Sequence, residues 1–294
     1  MTTATPNKPD QANKASKIIG QILGPGGENI IFPVLGFIGV IFVWSIVAKI
    51  TEGNLSELPG PTQAFQDSIP YIQNAFSTKQ GDEGIFLLTL YSLIRVAIGF
   101  SIATAIAVPL GFLVGTSRQA EKMMSPLIQV GKPISPLAWL PVGIVVFSGL
   151  TTDMPKTVAQ NAPAIFTIVV TSLWPTLINT ALGVKSIPKD YWNVSRVLKM
   201  AKPQIVKEII IPSTLPYIFT GMRLSLGIAW LVIVAAEMLT GGTGIGFFVW
   251  DTYNTGEISL VIMSLFVIGI VGLLLDQAVA VLERAAIGKI QPGS

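Results

Sequence analysis

Six long apolar runs constrain this chain more than anything else in it. Ile30 to Ala48 holds no charge, Ile85 to Thr116 holds Arg95 alone, and Pro133 to Thr152 and Thr157 to Val184 hold none. From Pro212 a fifth run rises through Leu215 to Thr240 and carries Arg223 and Glu237, and Ile258 to Leu275 is again uncharged. At about 1.5 Å per residue, some twenty helical residues cross a hydrocarbon layer of roughly 30 Å. Backbone N–H and C=O groups find no water there, so such runs cross as helices that satisfy their own hydrogen bonds. Composition agrees: 51% of residues are hydrophobic and 12% charged, against roughly a quarter charged in soluble domains. The expected fold is all-α and integral to a membrane, with six transmembrane helices in one domain over 30–284. A flexible segment, 1–29, precedes it and a short tail, 285–294, follows; neither a second domain nor a short repeat is evident.

Charge sets the orientation. Segments 118–132 and 185–207 hold nine Lys or Arg, whereas 153–156 and 251–257 hold one. Basic loops stay inside, so both termini are expected in the cytoplasm. The acid-rich stretch up to Gly84, with Glu52, Glu57, Asp67, Asp82 and Glu83, fits the outer side. Pro133, and Pro136 and Pro141 in SPLAWLPVG, should kink or interrupt the third span, and Pro163 and Pro175 the fourth. Gly99, Gly111 and Gly115 are spaced for close helix packing, with a subunit interface as one setting for it.

Several function classes lose their machinery here. Without histidine or cysteine, thiol catalysis, histidine acid–base chemistry and the usual zinc, copper and haem ligand sets are gone. A net charge of +3 with no continuous basic patch gives nucleic-acid binding no support. GGTGIG after the fifth run lacks the Lys-Ser/Thr and the preceding strand of a phosphate loop, so it reads as a tight outer turn.

The inner segment 185–211 is the strongly basic one, and Val194, Val197, Leu198 and Ala201 give it helical periodicity. A short amphipathic helix should form there and stop near Pro203. On its own such a helix fits either a protein groove or an anionic lipid surface.

Asn193 to Pro216, followed by YIFTGMRLSLGIAWLVIVAAEML and GGTGIGFFVWDTYN, resembles the permease subunit of ABC importers of the nitrate, bicarbonate, sulfonate and taurine group. SPLAWLP, SLWPTLINTALGV, IPKDYWNVSRVL and PSTLPYIFTGMR bring it nearest the nitrate or bicarbonate branch, and the likeness runs over residues 85–284. The resemblance implies the type I importer permease fold in a bacterial inner membrane, with a cytoplasmic coupling helix set in a groove of an ATP-hydrolysing subunit. It also implies a pore of two permease copies as a homodimer, an external substrate-binding protein, and ATP and Mg bound by the ATPases. No cofactor or metal is expected on this chain, and no catalysis. The coupling contacts fall on Tyr191, Asn193, Val194, Ser195, Arg196, Val197, Leu198, Lys199 and Lys202. The family signature has an acid, an alanine and a glycine where this chain has Asn193, Ser195 and Lys199. The missing glycine suggests a later turn, at Ala201-Lys202-Pro203.

Arg95 and Arg223 each lie about ten residues into a span, where a charge costs roughly 2.5–3.5 kcal/mol and must face protein or water. They are candidates for drawing an anion into a translocation path; the alternative is an ion pair with Glu237 or Asp276, or capping of carbonyls freed by prolines. Glu237, towards the outer face, would repel an anion or pair with an arginine. Trp139, inside SPLAWLP, is a gate candidate, while Trp174 reads as an interface anchor or packing residue. The expected activity is ATP-driven import of a small inorganic anion, nitrate or nitrite, by alternating access, with bicarbonate or an organic sulfonate as alternatives. A membrane-bound lipid-processing enzyme would need clustered carboxylates, and those here are scattered. A scaffold or receptor without transport would carry no ATPase on residues 190–203.

Overall fold

The computed structural model describes residues 28–53, 58–79, 82–150 and 155–290. The expectation for 1–29 therefore lies almost wholly outside the described residues. The chain divides into two compact units, residues 1–67 and 68–294. In the first, α1 (Glu28–Thr51) contains the first apolar run. Trp44 Nε1 donates to the Pro59 carbonyl at 3.0 Å and the Leu58 amide donates to Thr51 Oγ1 at 3.2 Å, so the chain doubles back beside the end of α1.

Between the first two runs lies a helix the sequence reading did not anticipate, α2 (Pro61–Gln73), followed by a hairpin of two-residue strands, β1 (Thr78–Lys79) and β2 (Asp82–Glu83). The strands pair antiparallel, Thr78 with Glu83 and Lys79 with Asp82.

The second unit is built on α3 (Ile85–Thr116), α6 (Lys156–Lys185) and α9 (Ile211–Thr240). The segment 118–132 folds as α4 (Arg118–Gly131) and the third run as α5 (Pro136–Leu150), and the two meet at 101°. Pro133 and Pro136 disfavour helical backbone in the residues before them, and that is where the break falls. Within the basic segment lie α7 (Lys189–Val197), α8 (Lys202–Ile205) and a π-helical turn, Val206–Ile210, that runs straight into α9. Helix α10 (Ile245–Asn254) and α11 (Ile258–Ile290) complete the unit.

Three expectations are corrected. Proline does not interrupt the fourth span: α6 continues through both Pro163 and Pro175. At Pro175, Ser225 of α9 inserts into the ladder. Its hydroxyl accepts from the Thr176 amide at 3.2 Å and donates to the Ser172 carbonyl, so neither group is stranded. The fifth helix begins at Lys202 rather than near Pro212: the π turn joins the two stretches, with the Ile211 amide reaching back to the Val206 carbonyl, and Pro212 falls in the first turn of α9, where a missing N–H is tolerated. The sixth continues past Leu275 to Ile290, so residues 285–290 belong to a helix and not to a tail.

The glycines of α3 pack within the chain, not at a subunit interface. Gly99, Ala103, Ala107, Gly111 and Gly115 recur every fourth residue, and a β-carbon on Gly111 would sit 2.5 Å from Thr180 Cβ of α6. One on Gly99 would sit 2.7 Å from Ile168 Cγ2. In a membrane, close backbone approach of this kind does the work that the hydrophobic effect does in water. The core beside it is formed by Val96, Leu140, Ile168, Ala229, Ile233 and Ile245. Trp230 Nε1 donates to the Ile268 carbonyl at 3.0 Å and ties α9 to α11.

Candidate functional site

The basic segment folds as a short helix with two unlike faces. Trp192 packs against Val184, Ile187, Ile209 and Ile210, and Ser195 is buried, its hydroxyl bonded to the Trp192 carbonyl at 2.9 Å. The other face is open: Tyr191, Val194, Val197 and Leu198 are exposed, Val197 to 81%. Asn193, Arg196, Lys199 and Lys202 are exposed beside them. Ser195 alone among the expected coupling residues turns inward, where it fixes the helix on its support.

The helix stops earlier than expected. Lys199 takes φ 49°, the left-handed conformation, at the position where the resembling family carries glycine. The Met200 amide then reaches the Ser195 carbonyl at 3.0 Å and the Lys199 amide the Arg196 carbonyl at 3.1 Å, closing the end of α7. The turn therefore survives the loss of glycine, at the cost of a side chain in a region L-residues avoid. Pro203 does not end this helix; it lies in the first turn of the next, where a missing N–H is harmless. The Ala201 amide there bonds Gln204 Oε1 at 3.0 Å.

Arg95 and Glu237 meet across 142 residues of sequence. Arg95 Nη1 lies 2.6 Å from Glu237 Oε1, with the two side chains 13% and 4% exposed. The same nitrogen donates to the Thr243 carbonyl at 2.6 Å, and Nε donates to Asn161 Oδ1 at 2.6 Å. Glu237 Oε2 accepts from Ser92 Oγ at 2.8 Å and from the Gly246 amide at 3.0 Å, while Ser92 Oγ accepts from the Ile245 amide at 3.1 Å. Four elements, α3, α6, α9 and the start of α10, are thus bound to one ion pair, and the carboxylate sits among the first amides of α10. GGTGIG is the turn being held. Gly241 and Gly242 take φ 72° and 99°, and a β-carbon on Gly246 would lie 2.1 Å from the Val234 carbonyl.

Arg223 is also paired, to α11: Nε lies 3.0 Å from Asp276 Oδ1 and Nη2 lies 3.4 Å from Glu283 Oε2. One cation against two carboxylates leaves that cluster net negative. The Trp139 and Trp174 indole nitrogens are buried with no hydrogen-bond partner. Trp174 lies on Gly131, whose β-carbon would fall 2.4 Å from Cζ2. The structure brings together Arg95 and Glu237 but keeps Arg223 and Trp139 out of that cluster. Ser92, Asn161 and Ser225 were not singled out from sequence, although each is a polar residue within an apolar run, which is the available signal. Among the described residues no group of three or more His, Cys, Asp or Glu could hold a metal ion.

This architecture is that of a type I ABC importer permease. The solved inward-facing MetNI methionine ABC transporter aligns with a TM-score of 0.56 at 17% identity, covering 68% of this chain and 95% of that one. Residues 107–288 match the family described as "Binding-protein-dependent transport system inner membrane component", and the chain belongs to that family. The nitrate import permease protein NrtB of Synechocystis sp. is 42% identical over 260 residues, 88% of this chain and 90% of the relative. The bicarbonate transport system permease protein CmpB of Synechococcus elongatus is 43% identical over 262 residues, 87% of this chain and 89% of the relative.

Proposed function

We propose that this chain is the membrane-spanning subunit of an ATP-driven importer that carries a small inorganic oxyanion, nitrate first, across the bacterial inner membrane by alternating access. Both termini lie in the cytoplasm, a second permease copy completes the pore, separate ATPase subunits bind ATP and Mg, and an external binding protein delivers the anion. The supporting observation is identity of 42–43% along most of the chain to permeases named for nitrate and for bicarbonate. Both anions are planar, singly charged and edged with oxygen acceptors, so one pore chemistry serves either. Bicarbonate is the second reading.

In this scheme α7 is the coupling helix. Val194, Val197 and Leu198 seat in an ATPase groove, with Tyr191 and Asn193 flanking, while Arg196, Lys199 and Lys202 orient the encounter. The permease makes no covalent bond; nucleotide-driven closure of the ATPases shifts its population between inward-open and outward-open states. Arg95 and Arg223 act through their carboxylate partners, holding helices, and Trp139 keeps its place at the path. The test is reconstitution with ATPases and candidate binding proteins, measuring ATP-dependent uptake of isotopically labelled nitrate, bicarbonate and a sulfonate. Nitrate uptake is expected. Uptake of bicarbonate or sulfonate alone would move the substrate, and uptake of none would refute the transport assignment.

A further inference from the structure

A cavity of about 710 Å³ lies where the start of α3, the turn after α9 and the start of α11 come together, at one end of the spanning helices. The coupling and path assignments do not use it. Glu83 of the hairpin, Asp251 of α10 and Glu257 ahead of α11 line it, and no described lysine or arginine does. Asp251 and Glu257 are exposed and Glu83 is half-buried. None of the three carboxylates is in an ion pair with a described side chain. In sequence, 68–94 and 241–257 together hold four acids against Lys79 alone. One wall is aromatic: Tyr71 of α2 and Phe248 of α10 meet edge to face with ring centroids 6.1 Å apart. Thr243 joins the cavity to the Arg95 centre, since its carbonyl accepts from Arg95 Nη1 at 2.6 Å.

Charge decides what fits there. Unpaired carboxylates repel an anion, so the cavity is no waiting place for the cargo. A metal ion needs its oxygens within about 2.6 Å, and among the described residues no three acids come close enough to hold one. Carboxylates beside aromatic faces suit a guanidinium, which is flat, weakly hydrated and always charged. The volume falls among pockets of roughly 300–1,000 Å³, room for the tip of a loop. The family itself is one of binding-protein-dependent transport. We infer that this acidic cavity receives an arginine-bearing loop of the external binding protein, with Asp251 and Glu257 drawing it in and Tyr71 and Phe248 packing against it. The inference rests on the reading above, which puts 68–84 and 241–257 outside and supplies that partner. A loop seated there touches Thr243, and through it the turn that the Arg95–Glu237 pair holds.

The test uses the full complex with its ATPases in vesicles, and the binding protein that supports uptake in the assay above. Asn74 is exposed and lines the cavity, and the chain has no cysteine, so N74C places a single thiol at the rim for a maleimide that carries a diazirine. On illumination it should mark a peptide of the binding protein that contains arginine or lysine. D251N/E257Q should assemble with the ATPases as before, yet associate with the binding protein about tenfold more slowly at low ionic strength and with a shallower salt dependence. D251K/E257K should nearly abolish docking, and reversing the marked cation on the binding protein to Glu should restore much of it, which a merely structural defect would not allow. Association by D251N/E257Q within about twofold of the parent at low salt, a marked peptide without a basic residue, or a reversal that no partner reversal rescues would overturn the inference while uptake stands. Failure of every candidate binding protein to support uptake would instead sink the importer reading, and a position 74 closed to impermeant maleimide outside the vesicle would sink the orientation; the inference falls with either.

Discussion

Replacing Glu237 by Gln tests what the Arg95 centre does. The carboxylate receives hydrogen bonds from Arg95, Ser92 and the Gly246 amide at 2.6–3.0 Å. A carboxamide has one acceptor oxygen, so its NH2 must face at least one of these donors while Arg95 loses its counter-charge. Removing one partner of a buried pair typically costs about 3–5 kcal/mol. Gln keeps the shape and part of the bonding, which puts the loss near the lower figure, about 3 kcal/mol. For a chain of this size that is a fall of roughly 6 °C in melting temperature. R95Q should cost about as much, because it strands a carboxylate that is only 4% exposed. The double variant R95Q/E237Q should fall short of the sum by about 2 kcal/mol. Thermal unfolding in one detergent gives all three values, and hydrogen exchange at Ile245 and Gly246 should quicken in each variant. Two singles that each shift melting by less than about 2 °C, with an additive double and unchanged exchange, would refute the view that this pair holds the GGTGIG turn.

Lys199→Gly should stabilise the end of α7 by about 1 kcal/mol, since φ 49° costs a lysine and not a glycine; slower amide exchange at Lys199 and Met200 would register it, and faster exchange would count against the left-handed stop. Ser225→Ala leaves the Thr176 amide and Ser172 carbonyl without the hydroxyl that joins them beside Pro175. A loss of about 1–3 kcal/mol in unfolding free energy is expected, and no loss would mean the ladder closes without it.

The long apolar helices were readable because charge is excluded from hydrocarbon, and that exclusion leaves unbroken runs. Helix ends were less readable. Asp276, Glu283 and Arg284 look like the end of a span in sequence, yet α11 continues through them, because a helix leaving the membrane has no reason to stop. Pro163 and Pro175 looked like breaks, and at Pro175 the repair comes from Ser225, fifty residues further on, which local pattern does not reveal. Helix α2 was hidden because its apolar residues are interleaved with polar ones and with two prolines, so no long apolar run marks it. The Arg95–Glu237 pair was legible as a possibility, two opposite charges within the second and fifth apolar runs, whereas Ser92, Asn161 and Thr243 joined it only through the packing of four elements. Lys199 shows a further limit: absence of glycine argued for a later turn, but tertiary contacts of Trp192 and Ser195 fix the helix, and the backbone pays the strain.

The claim everything else hangs on is that α7 passes the work of a separate ATPase to these helices. Val197 is the most exposed of its apolar residues, at 81%, and a V197C variant would carry the chain's single thiol. With a maleimide that carries a photoreactive diazirine in the reconstituted complex, this thiol should cross-link on illumination to the ATPase subunit, by carbene insertion into a nearby bond, and should resist an impermeant maleimide supplied outside the vesicle. Modification from outside, or ATP-driven uptake by a complex in which position 197 never cross-links to the ATPase, would contradict the account.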